Sequence, residues 1–190
     1  MKKRYSLLLA AALINCLNVA RATTVIPPSF DQLVQQAEVI FQGAVTDVRS
    51  QWVGEGAQRH IVSYVTFNVE DGIKGDAGQS YAIRMYGGTV GEDSMGISDA
   101  PTFKVGDREI LFVENNGTQV IPLVGLMHGR FHVERDQAGL DIVTRNNGQP
   151  LKNVTEIGRD MESTTPRTAE PNLTAEAFKA AVRSKLQATQ

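Results

Sequence analysis

Between residues 60 and 70 the chain alternates with a period of two, Ile61, Val65, Phe67 and Val69 interleaving with Val62, Tyr64, Thr66 and Asn68. Only an extended backbone sends neighbouring side chains to opposite faces, so this stretch is a strand with one core face and one amphipathic face. Any fold available to the chain has to cover that core face. The same reading recurs on both sides. Residues 39–48 form a strand with bulk from Ile40, Phe41 and Val45 and a bulge or close approach at Gly43. Tyr81, Ile83 and Met85 alternate with Ala82, Arg84 and Tyr86, and 110–113 is apolar on both faces, as a sandwiched strand is. Further strands are expected at 120–124, 130–134 and 140–143.

Turn signals separate these runs: Gly54 and Gly56, the glycines of 71–78, Asn115-Asn116-Gly117, 136–139 and Asn146-Asn147-Gly148. The stretch 87–102 reads as a long, acidic, glycine-rich loop of the functional or mobile kind. Ser29 and Gln32 have capping-box spacing ahead of Phe30, Leu33, Val34 and Ala37, which predicts a short helix at 30–37. A second helix is expected over 173–187, capped by Thr174 and stapled by Leu173 and Phe178, with Ala181, Val182 and Leu186 extending its apolar stripe. The polar stretch 158–172, with Pro166 and Pro171, reads as a flexible linker. Five to seven short strands and one early helix argue for a mainly β antiparallel barrel or sandwich rather than parallel α/β.

The N-terminal segment is expected to be a signal peptide over 1–22. Lys2, Lys3 and Arg4 precede an apolar run from 5 to 20 that is broken by Ser6, Asn15, Cys16 and Asn18, too short to span a bilayer. Ala20 and Ala22 supply the small residues of a cleavage site, placing cleavage after Ala22. Leu13-Ile14-Asn15-Cys16 is a competing lipobox reading that would lipidate Cys16, but Asn15 stands where a small residue is wanted. Cleavage moves 19 Lys plus Arg against 21 Asp plus Glu to 15 against 21, a formal charge of −6, and removes the single cysteine. A secreted or periplasmic chain of this charge gives no reason to expect nucleic acid or an anionic membrane as partner. It forms no disulfide and offers no thiolate.

Three blocks carry a family resemblance. They are 37–45 (AEVIFQGAV), 64–69 with Lys74 and Gly75, and 103–107 (FKVGD) followed by 110–113. In order and spacing they resemble the module shared by netrins, complement C-terminal domains and tissue inhibitors of metalloproteinases, and a group of exported bacterial proteins with the same pattern. The resemblance covers roughly residues 30–135 and implies a small antiparallel OB-like barrel, with a domain over 23–157 and a core over about 30–155. The inhibitors act through a disulfide-anchored N-terminal cysteine. The expected mature start here is Thr23-Thr24, so that residue has no counterpart.

Candidate chemistry centres on 128–134. His128 and His132 have the i, i+4 spacing of a zinc helix, but Gly129 stands where that motif places Glu, and the local pattern is β. On a strand His128, Arg130, His132 and Glu134 would share a face with the histidines roughly 13 Å apart, too far for one metal ion. A solvated polar face leads this reading, followed by a ligand or partner surface using Arg130 as an anion contact, then metal binding with help from His60. Trp52, in a glycine-rich loop, either anchors a ligand or folds back on the domain. Residues 86–91 lack the lysine and helix start of a phosphate loop, and Glu92, Asp93 and Asp99 lack the spacing of a calcium loop. No Gly-x-Ser-x-Gly elbow is present. The expectation is therefore an exported, non-enzymatic binding or interaction module without cofactor or metal, its candidate surface formed by Trp52, His128, Arg130 and His132. The expected partner is a protein of the envelope or medium. Regulation or inhibition of an exported metalloprotease is the alternative, and a hydrolase comes third.

Overall fold

A computed structural model describes residues 27–159 and 171–188. The signal-peptide reading, with Cys16, Ala20 and Ala22, and most of the linker reading lie outside the described residues. Helix α1 (Phe30–Gln36) leads into strand β1 (Val39–Val53), and a hairpin with one 3-10 turn returns as β2 (His60–Lys74). There follow β3 (Ser80–Tyr86), the short pair β4 (Gly88–Val90) and β5 (Asp93–Met95), then β6 (Arg108–Val113), β7 (Arg130–Arg135), β8 (Asp141–Thr144) and helix α2 (Ala175–Gln187). Among the described residues no helix is long and apolar enough to cross a membrane.

Six strands form one antiparallel sheet in the order β3-β2-β1-β6-β7-β8. The sheet has two ends, so its strands do not close on themselves into a barrel. Neither end is left bare, because unpaired strand edges recruit other chains. At β3, Tyr86 N–H donates to Val120 O (2.8 Å) and Arg84 N–H to Asn116 Oδ1 (3.0 Å). At β8, Val143 N–H donates to Leu173 O and Val143 O accepts from Leu151 N–H, each at 2.9 Å.

The period-two patterns sort residues onto two faces. Ile40, Ile110, Phe112, Phe131, Val133 and Val143 point to one core, which α1, α2, Leu151 and Ile157 cover. Phe41, Val45, Val65, Phe67, Ile83, Met85, Leu111 and Val113 point to the other, completed by Phe103, Ile121 and Leu123 from the connecting segments. The expected capping box is formed: Ser29 Oγ accepts from Gln32 N–H and the Gln32 side chain accepts from Ser29 N–H. Thr174 caps α2 through Ala177 N–H, and Leu173 and Phe178 both pack into the first core. Lys179, itself buried, bonds Asp71 of β2 at 2.9 Å and so fastens α2 to the sheet.

Gly43 stands at a register shift, where a Cβ would come within 2.7 Å of Asn68 O on β2. That bulge lets β1 bend while pairing with β2 along most of its length and with β6 along 39–44.

Two expectations need correction. Residues 120–124 do not form a strand but meet β6 in a single bridge, Val113 to Leu123, because Asn116 and Val120 are engaged by β3 instead. Residues 87–102 are not a structureless loop, since the β4–β5 hairpin turns at Gly91-Glu92 and packs on β1 and β2. Its seat is Gly88, at φ +133°, where a side chain would collide with Ser50 Oγ and Ser63 Oγ. Those hydroxyls are fixed, 2.8 Å from each other, with Ser63 donating to Gly87 O at 2.7 Å. Gly88→Ala should therefore cost about 2–4 kcal/mol, from overpacking and a backbone conformation reserved for glycine. Gly91→Ala, with open space around it, should cost about 1 kcal/mol. Equilibrium unfolding in denaturant measures both.

Candidate functional site

The face read from sequence as solvated is buried at Arg130, half-buried at His132 and exposed at Glu134. Arg130 is only 6% exposed, and its Nη2 lies 2.7 Å from Oε1 of Glu109, a side chain with no exposure at all. Glu109 alternates with Leu111 and Val113 onto the inner face of β6 and stands in register with His132 of β7. His132 Nδ1 is 3.1 Å from the same Oε1. Phe103 lies flat beneath the Arg130 guanidinium, 4.2 Å from ring centroid to Cζ, and Asp107 adds a carboxylate at 3.8 Å. The polar alternation was real, but an inward counter-charge turned it into a buried ion pair.

Glu109 is the residue that sequence reasoning missed. It opens an apolar run and reads as the polar start of a strand. Its signal was the phase: a carboxylate in step with Leu111 and Val113 points inward and requires a cation opposite.

Three polar atoms in this region are buried without partners: Glu109 Oε2, Arg130 Nε and Thr144 Oγ1. Thr144 faces His132 across the β7–β8 pair. Buried polar atoms without partners are uncommon, so each calls for a reason.

His128 does not continue this face. It lies in the turn before β7, which begins at Arg130. Burial there disfavours the imidazolium and holds the His128 pKa below its ordinary value. Trp52 sits apart, half-buried near the end of β1, with the Arg59 guanidinium 4.1 Å over its ring. His60 stacks on Tyr86 at 5.5 Å, and its Nδ1 bonds Gln58 O. Among the described residues no three His, Cys, Asp or Glu side chains converge as a metal site requires.

His128 and Arg130 do share a cleft of about 260 Å³; Trp52 and His132 are not in its lining. Four chain segments build it. Pro27 and Pro28 form one wall, and Met127 and His128 form a second. Arg145, Asn146 and Asn147, in the turn after β8, face Ile157, Gly158 and Arg159. Arg130 and Phe131 contribute the start of β7.

Local constraints hold these turns in place. Asn146 Nδ2 donates to Met127 O at 2.6 Å, tying two walls together. Gly158, at φ +80°, lies so close to Ser29 Cα and Pro28 O that no Cβ fits. Leu126, next to Met127, adopts φ +65°, which a bulky residue holds only at a cost of about 1–2 kcal/mol. Strain of this kind gathers at ligand clamps and active sites.

Arginine dominates the charge of the lining. Arg145 is engaged by Glu156, through its carbonyl at 3.1 Å and its carboxylate at 3.4 Å. Arg159 is exposed and forms no ion pair among the described residues. The lining holds no carboxylate, hydroxyl, thiol or amine side chain, and His128 is its single group able to exchange a proton near neutral pH. Such a site can hold and orient a molecule.

The other charged clusters are fastenings. Arg108 bridges Glu70 and Asp141, at 2.8 Å to each, and the Arg108 hydrogen bond holds the Glu70 carboxyl below the ordinary carboxylate range.

Compared with family models, with curated proteins and with solved structures, the chain gives no significant match. Function has to be argued from the cleft itself.

Proposed function

We propose that this chain is an exported, non-enzymatic binding module of OB-like type, and that the cleft beside β7 is its ligand seat. The observation that carries the reading is the company of Arg145 and Arg159 around apolar walls, in a chain whose formal charge is negative. Largely pre-formed concave sites with apolar walls and a few converging polar groups are the usual form of small-molecule sites. The strained backbone at Leu126 fits the same role, since stability has been given up beside the cleft.

The OB-like reading draws support from residues 114–124. They bond β6 on one side, through Glu114 N–H to Pro122 O and Val124 N–H to Phe112 O, and β3 on the other. The core between them is thereby wrapped by chain even though the six strands form an open sheet. Export rests on the cationic start, apolar run and Ala20/Ala22 pattern of the N-terminal segment.

A thermal-shift panel of small neutral, cationic and anionic compounds tests the module. At least one compound should raise the melting temperature of the full chain, and Asn147→Trp, which fills the cleft from an exposed position, should abolish the rise. A panel whose hits stabilise the variant and the parent alike would locate binding elsewhere.

A further inference from the structure

We propose that the cleft takes a small organic monoanion, a carboxylate carried on an apolar body; this rests on the reading of the cleft as a ligand seat. The charge comes from counting compensation. Arg130 turns its guanidinium to the opposite face of the sheet, against Glu109 and Phe103, and Arg145 already has a carboxylate partner, Glu156 at 3.4 Å. The Glu156 carboxylate is not part of the lining. Arg159 forms no ion pair with the described residues. One uncompensated positive charge matches one negative charge on the ligand. A phosphate dianion would carry a second charge with nothing opposite it.

Guanidinium donors suit a planar carboxylate in particular, because the fork of N–H groups matches its two oxygens.

The body of the ligand follows from the walls. Pro27, Pro28, Met127, Phe131 and Ile157 offer apolar surface on several sides. A bare inorganic anion would leave that surface in contact with water, whereas an aromatic or branched aliphatic group covers it. The shared chemistry is thus a terminal carboxylate beside an apolar group, as in a free organic acid or in the C-terminal residue of a peptide.

The test is calorimetric titration of the full chain with four probes: 3-phenylpropionate, N-acetylphenylalanine, 3-phenylpropionamide and inorganic phosphate. At least one of the two carboxylates should bind with one-to-one stoichiometry, and their ratio separates the free acid from the peptide terminus. The amide should bind at least tenfold more weakly than 3-phenylpropionate, and phosphate should give no measurable heat. Arg159→Gln, an exposed change that leaves the core untouched, should weaken the preferred carboxylate about tenfold, with Arg159→Lys recovering part of the loss. Equal binding of acid and amide, tighter binding of phosphate, or no carboxylate binding at millimolar concentration would overturn the proposal. If neutral or cationic compounds bind and Asn147→Trp removes them, the module reading survives while the monoanion inference fails.

Discussion

Phe178→Ala should destabilise the domain by about 3–5 kcal/mol. The ring has no exposure and is the joint of the helix-covered core. It meets Phe30 of α1 edge-on at 6.0 Å, Phe112 of β6 at 6.1 Å and Phe131 of β7 at 5.1 Å. Each of these belongs to a different element, so the space vacated by the ring cannot be closed by moving one of them alone. Aromatic pairs of this geometry add about 0.5–1.5 kcal/mol to what burial supplies. For a domain of this length the melting temperature should fall by about 10 °C. Phe178→Leu keeps most of the volume and should cost much less. A loss below about 1 kcal/mol for the alanine variant would mean that α2 contributes little to the folded state.

The second large effect is electrostatic. Glu109→Ala should cost about 3–5 kcal/mol because it strands the Arg130 guanidinium in a site that is 6% exposed. Asp107, at 3.8 Å and partly exposed, is too distant to replace the lost partner. The pair itself need not be strongly stabilising. Desolvating both ions offsets most of their attraction, so Glu109→Leu with Arg130→Met should recover most of the loss. A double-mutant cycle followed by denaturant unfolding measures the difference. If the double variant were as unstable as Glu109→Ala, the cost would lie in packing around Phe103 rather than in the stranded charge.

Much of the scaffold was legible because its signals are local. The alternation at 60–70 is the centre of β2, Gly43 is a bulge, and both helix caps are made by the residues whose spacing announced them. The failures were non-local. Residues 120–124 carry strand-like apolar content, but their partners are divided between β6 and β3, which no window of sequence reveals. Arg130 and His132 were read as one half of a polar face whose other half, Glu109, arrives from 21 residues earlier. The cleft was out of reach altogether. Its walls come from 27–28, 127–131, 145–147 and 157–159, four stretches brought together only by the sheet and by the Gly158 contact with Pro28. Of the residues picked from sequence, His128 and Arg130 line it; His132 serves the buried pair, and Trp52 serves the far end of β1.

Whether that cleft is where the molecule meets its ligand can be measured directly. Backbone amide resonances of the full chain can be followed by heteronuclear NMR while the panel compound that stabilises it most is titrated in. The perturbed amides should be those of Met127, His128, Arg145, Asn146, Asn147 and Arg159. Shifts confined to Trp52 and the β4–β5 hairpin, with these six unmoved, would contradict the assignment of the ligand seat.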